Sequence, residues 1–191
     1  TFQGISTQPV YGGPAYIFRN VTYNHTGSGA VKLNQYPDGL LIYNNTFVGA
    51  SSEGLTDYDW SNCRLLNSLF VGKDGSHGVI WTGTKTPKTT EMNYNGWHFH
   101  TVSESYPIWW RYGYPRSVPA SSYWSIEGSF TSLAQFTQYT GYESNGIGTV
   151  DYNVFVNGVI PTGTDSPLPS GLDLQLVAGA VAVDAGTPLG Q

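Results

Sequence analysis

The chain has 191 residues, a mass of 20.8 kDa, Lys+Arg 8 against Asp+Glu 13 and a net charge of -5. So few cations exclude non-specific nucleic-acid binding, which needs clustered Lys and Arg, and 39% hydrophobic with 15% aromatic residues excludes disorder. No run of about 18 apolar residues offers a membrane-spanning helix, and the one cysteine, Cys63, excludes an internal disulfide and any multi-cysteine metal site.

Ala, Leu, Glu and Lys are scarce as a group, so long helices are not expected. Tyr, Thr, Val, Phe and Trp favour strands, while Gly, Asn and Pro favour turns. Low charge with many hydroxyl and amide groups goes with secreted β proteins. Thr1 opens directly into Phe2-Gln3-Gly4, so the chain reads as mature, processed or cut from something longer.

Three segments in the first hundred residues align without gaps: Phe18-Arg19-Asn20-Val21-Thr22-Tyr23, Ile42-Tyr43-Asn44-Asn45-Thr46-Phe47 and Leu65-Leu66-Asn67-Ser68-Leu69-Phe70. Their Asn residues at 20, 44 and 67 are spaced 24 and 23 apart, and two segments continue as Phe-Val-Gly. A repeat of this length built from short β-prone pieces predicts an all-β, right-handed parallel β-helix, a solenoid whose rungs stack at roughly 4.8 Å. Apolar residues (Phe18, Ile42, Leu65) should then stack, as should aromatics (Tyr23, Phe47, Phe70). Asn20, Asn44 and Asn67 should form a turn ladder of bonded amides.

From His98 to Gly148 the period fails. The stretch Tyr106 to Pro115 is densely aromatic, and Ser132 to Tyr139 carries Leu133, Phe136 and Tyr139 three apart, a short helix stopped by Gly141. Val150 to Gly158 returns to strand, and Leu172 to Leu176 and Ala182 to Gly186 supply last short rungs. The organisation is therefore 1–97 coils, 98–149 an aromatic-rich excursion with a short helix, and 150–191 closing rungs and a C-terminal loop.

Residues 12–49, from Gly-Gly-Pro-Ala-Tyr-Ile-Phe-Arg-Asn-Val to Leu-Ile-Tyr-Asn-Asn-Thr-Phe-Val-Gly, resemble bacterial right-handed β-helix repeat proteins of the pectate-lyase-like superfamily. So does the tail, with Ser-Leu-Ala-Gln-Phe, then Asp-Tyr-Asn-Val-Phe-Val, then Ala-Val-Asp-Ala-Gly. The resemblance implies a secreted protein, extracellular or on the cell surface, that binds or cleaves polysaccharide as a lyase or glycoside hydrolase. Relatives usually carry more coils before Thr1 and a closing segment after Gln191, which implies missing flanking segments or end-to-end self-association.

Counting from the repeat Asn residues puts Lys32, Asp57 and His77 on roughly one side, with Asp59 beside them and Glu53 in the same acidic group. A lyase needs a base and a cation, from Lys, Arg or a carboxylate-bound Ca²⁺, to stabilise an enolate-like intermediate. A hydrolase needs two carboxylates. Lys32, Asp57, Asp59 and His77 are the catalytic candidates; the plain alternative is solvated loop charge. No cofactor other than Ca²⁺ and no metal cluster is suggested. Trp109, Trp110, Arg111 and Tyr112 are the substrate-binding candidates, because flat aromatic faces stack on sugar rings and Arg engages carboxylates. Core packing is the alternative for that cluster. His98 and His100 alternate but lack a third ligand. Of three sequons, those at Asn20 and Asn44 use the expected ladder amides, leaving Asn24 as the acceptor. The competing function is a non-catalytic β-helix module of an extracellular fibre, adhesin or phage spike.

Overall fold

A computed structural model describes residues 5–7, 14–26, 29–33, 37–50, 54–57, 60–72, 80–84, 88–99, 108–112, 128–164, 168–183 and 185–188. In chain order its strands are β1 (Ile5–Thr7), β2 (Ala15–Phe18), β3 (Val21–His25), β4 (Val31–Leu33), β5 (Leu40–Tyr43), β6 (Thr46–Gly49), β7 (Leu55–Asp57) and β8 (Arg64–Leu66). They continue as β9 (Leu69–Val71), β10 (Ile80–Thr84), β11 (Glu91–Asn93), β12 (Gly96–Trp97), β13 (Ile108–Tyr112), β14 (Gly128–Phe130), β15 (Phe155–Asn157) and β16 (Asp173–Leu176). Among the described residues one α-helix, α1, spans Leu133–Thr140.

Successive strands are dealt in rotation to three sheets. The orders are β1-β4-β7-β10-β13-β14, β2-β5-β8-β11 and β3-β6-β9-β12. All pairings in the three are parallel except β13 with β14. Burial alternates along β4 and β5, as a sheet with one covered face requires. Register then stacks like on like. Val31, Leu55, Ile80 and Ile108 form one inward column, and Ile17, Ile42, Leu65 and Met92 a second. Phe47, Phe70 and Trp97 form the third. The Phe47 and Phe70 rings lie 5.0 Å apart. Phe70 and Trp97 lie 4.3 Å apart and 6° from parallel. The three columns meet in one core.

The expectation of an all-β, right-handed parallel β-helix is corrected here. The chain is mostly β, with parallel sheets and one helix, and no solenoid is detected in the described residues. Parallel addition stops at β13, which takes β14 antiparallel. The expected closing rungs are not rungs: β16 pairs antiparallel with β15 in a separate two-stranded sheet. Nor is the excursion wholly apart from the coils, since β13 extends the first sheet.

The expected side-chain columns are corrected by one residue in the first segment. Ile17, not Phe18, stacks on Ile42, and Thr22, not Tyr23, pairs with Phe47. Asn20, Asn44 and Asn67 are not one column. Asn20 meets Asn45, whose Oδ1 accepts from Asn20 N and Nδ2, each at 3.0 Å. Asn45 N donates to Ser68 Oγ at 3.2 Å, and Ser68 N to Asn95 Oδ1 at 2.9 Å. The ladder is therefore Asn20, Asn45, Ser68, Asn95, with spacings of 25, 23 and 27 residues. Asn44 and Asn67 belong to the adjacent turn position, with Arg19 and Tyr94, at φ between 55° and 58°. Asn tolerates this left-handed backbone better than most residues.

Helix α1 closes the far end of the core. Ser132 Oγ accepts from Gln135 N, and Gly141, at φ 77, donates its N–H to Thr137 O at 2.8 Å. Its buried Leu133 and Phe136 reach the core, with Phe136 5.1 Å from the Trp110 ring. The segment after it finishes the cover: Glu143 N donates to Met92 O, Ile147 N to Asn95 O, and Trp97 N to Ile147 O.

Candidate functional site

The second sheet carries a mixed aromatic and charged outer face. Alternation turns Ile17 inward, so Tyr16 and Phe18 point out, at 60% and 56% exposure. Register continues these positions as Tyr16, Leu41, Arg64, Glu91 and as Phe18, Tyr43, Leu66, Asn93; Leu66 is buried, so in the second row the exposed rings are those of β2 with half-buried Tyr43 beside them. Tyr16 and Phe18 stand about 7 Å apart along the strand, and Phe18 and Tyr43 about 5 Å across it. Arg64 Nε is 3.0 Å from Glu91 Oε2, so the face is close to electrically balanced. A flat, neutral patch of aromatic rings with amides at its margin suits stacking on sugar rings. The sequence cue for it is the alternation in Ala15-Tyr16-Ile17-Phe18, which the one-residue offset in the repeat alignment conceals.

Of the candidates expected from the sequence, Lys32, Asp57 and Trp109 to Tyr112 lie on strands of the first sheet, not the second. Lys32 is half-buried on β4 and pairs in register with Thr56; Asp57 pairs with buried Leu33 instead. Lys32 and Asp57 therefore occupy different register positions. Asp59, His77, Glu53 and His100 lie outside the described residues. Trp109 lies on β13 in the same register row as Lys32, through Thr56 and Trp81. Arg111 and Tyr112 continue that strand, opposite Gly83 and Thr84. Trp110 is corrected: it is a core residue, fully buried against Phe136 and Tyr142.

Two buried acid–base groups lie away from the aromatic face. Glu143, 2% exposed, ends the ladder: Asn95 Nδ2 donates to its Oε1 at 2.7 Å and Asn95 N to its Oε2 at 3.3 Å. Burial pushes its carboxyl up to about 8, against the lowering effect of the Asn95 bonds. It touches an open groove of about 680 Å³ between α1 and the segment 143–149. With both oxygens engaged by Asn95, it acts as a ladder cap. His25 is buried on β3, and burial lowers its imidazole to about 4. His98 contacts Gly72 O through Nδ1, and its Nε2 stands 3.8 Å from Asp151. Cys63 is a buried thiol whose Sγ donates to Ser61 O at 2.9 Å; burial raises it to about 12.

The ladder shift also reassigns the sequons. Asn20 is bound in the ladder, and Asn24 Oδ1 accepts from Gly163 N at 2.8 Å. Asn44 is the exposed turn residue, and the ladder amide beside it is Asn45.

No protein-family model, curated protein or solved structure matches the chain. The resemblance to β-helix repeat proteins thus rests on the sequence motifs alone. Among the described residues no helix is long and apolar enough to cross a membrane.

Proposed function

We propose that this chain binds polysaccharide on the outer face of the second sheet. The observation that carries the reading is the pair of exposed rings, Tyr16 and Phe18, on one edge strand with Tyr43 beside them. Large apolar side chains grouped on one exposed face mark a surface for a partner. Pyranose rings do so through their apolar C–H faces, while their hydroxyls reach Arg19, Asn44 and Asn93 at the margin. An extracellular or cell-surface location belongs to the same reading.

The structural-module reading has one observation in its favour. β1, β2 and β3 end their three sheets on the same side, and among the described residues no strand pairs beyond them. Open edges invite further strands. One experiment separates the readings. The full chain is incubated with a panel of neutral and acidic polysaccharides, with bound protein, new unsaturated ends and new reducing ends all measured. Binding without new ends is the expected result. New ends would show a catalyst, and no binding to any polymer, with concentration-dependent growth in light scattering, would establish the structural role.

A further inference from the structure

Three asparagines in the chain stand directly before glycine, in Asn95-Gly96, Asn145-Gly146 and Asn157-Gly158. Asparagine is a thermally labile residue, and a following glycine leaves its own nitrogen unshielded, because no Cβ stands beside it. The fold treats the three pairs differently. Asn95 is fully buried, its Nδ2 is held by Leu65 O and Glu143 Oε1, and Gly96 N donates to Ser68 O at 2.9 Å. Asn145 is exposed, but Gly146 N donates to Glu143 O at 3.0 Å. Asn157 is exposed at the end of β15, and Gly158 N has no acceptor among the described residues. Its side chain is held at the surface, where Nδ2 donates to Gly171 O at 2.5 Å. A Cβ on Gly158 would stand 2.3 Å from Tyr152 O, so the fold demands glycine there and no side chain can shield the nitrogen.

We propose that Asn157 is a site of spontaneous deamidation. Gly158 N, its proton taken by hydroxide, attacks Asn157 Cγ. The N–Cγ bond forms, the Cγ–Nδ2 bond breaks, and ammonia leaves with a proton from water. Water then opens the cyclic imide at one carbonyl or the other, giving aspartate or isoaspartate with no change of oxidation state. The new carboxylate cannot donate to Gly171 O. It also lies on the residue in register with Asp173 of β16, and like charges opposite each other weaken a strand pair. β15 and β16 form a two-stranded sheet of their own, a marginal unit by itself. Conversion therefore loosens this sheet and not the three larger ones.

The full chain is kept under mildly alkaline conditions, native and unfolded in urea. Peptide mapping by mass spectrometry follows the amide-to-acid mass rise at each of the three pairs. The native fold should slow Asn145 about fivefold more than Asn157, the effect of one ordinary hydrogen bond on the attacking nitrogen. Asn95 should not convert while the chain stays folded. Asn157→Gln keeps the donor amide on a side chain too long to close so small a ring, and should fold as the wild type and not convert. Hydrogen exchange should quicken in β15 and β16 of the converted protein. Protection of Asn157 equal to that of Asn145 or Asn95, or undiminished conversion of that peptide in folded Asn157→Gln, would overturn the site. Unchanged exchange after conversion would overturn the loosening of the sheet.

Discussion

Replacing Asn95 with alanine should cost more stability than its size suggests. The side chain is fully buried and serves three partners. Its Oδ1 accepts from Ser68 N at 2.9 Å, and its Nδ2 donates to Leu65 O at 3.0 Å and Glu143 Oε1 at 2.7 Å. Asn95→Ala leaves the Ser68 N–H without its acceptor and takes a donor from both Leu65 O and a buried carboxyl. An orphaned buried polar group costs about 1–3 kcal/mol. Three such groups sum to about 3–9 kcal/mol, a large share of the ~5–15 kcal/mol that stabilises a typical domain. Urea unfolding should show a midpoint lowered by at least about 1.5 M, taking ~2 kcal/mol per M for the slope. The slope itself should not change. Gln138→Ala, exposed on α1, should shift stability by no more than about 0.5 kcal/mol. A double variant with Glu143→Gln should lose less than the sum of the single losses, because the two side chains share a bond. A loss below about 1 kcal/mol for Asn95→Ala would refute the ladder as a stabilising element.

Three further outcomes follow from the same core. Glu143 titrates near 8 in the fold, above its ordinary 4.5, so the folded state holds its proton longer than the unfolded chain does. Its contribution is complete below about 4.5 and is lost as pH rises to about 8, by at most tenfold in the folding equilibrium per pH unit. His25, lowered to about 4, has the opposite slope between about 4 and 6.5, so the fall should be visible from pH 6.5 to 8 and absent in Glu143→Gln. Unfolding midpoints across that range check it; a flat wild-type profile would contradict it. Phe70→Ala, which empties the place between Phe47 and Trp97, should cost about 3–5 kcal/mol in the same urea assay. Cys63 should resist a thiol reagent in the native state at pH 8 and react fully in denaturant; fast native labelling would contradict its burial.

The strand-rich class is legible in the sequence, and so is the pairing of Ile42 with Leu65 and of Phe47 with Phe70, because those two segments share a spacing of 23 with their ladder residues Asn45 and Ser68. The first segment misleads: Asn20 lies 25 before Asn45, so matching Asn to Asn without a gap slides the strand by one. In a strand a one-residue slip exchanges the faces. The slip puts Phe18 in the core and hides its exposed pairing with Tyr16. Met92 and Trp97 are hidden by a longer step of 27 residues and by the change of residue type within their columns. Helix α1 is legible from Leu133, Phe136 and Tyr139 three apart and from Gly141 as its stop; the Ser132 cap is seen only in the structure. The fate of the aromatic run is not, because composition does not say which side of a strand is covered; Trp110 faces the core. Glu143 gives no sequence signal, since its burial comes from a turn that returns to Met92 and Asn95 from about fifty residues away.

The sugar face is tested most directly by affinity electrophoresis through gels cast with whichever polysaccharide retards the wild-type chain. Tyr16→Ala, Phe18→Ala and the double variant run beside it, together with Tyr139→Ala, an exposed ring on α1 away from that sheet. Each stacked ring lost should weaken retardation several-fold, with the double variant migrating as it does in a plain gel and Tyr139→Ala unchanged. Undiminished retardation of the folded double variant would contradict the assignment of binding to this sheet.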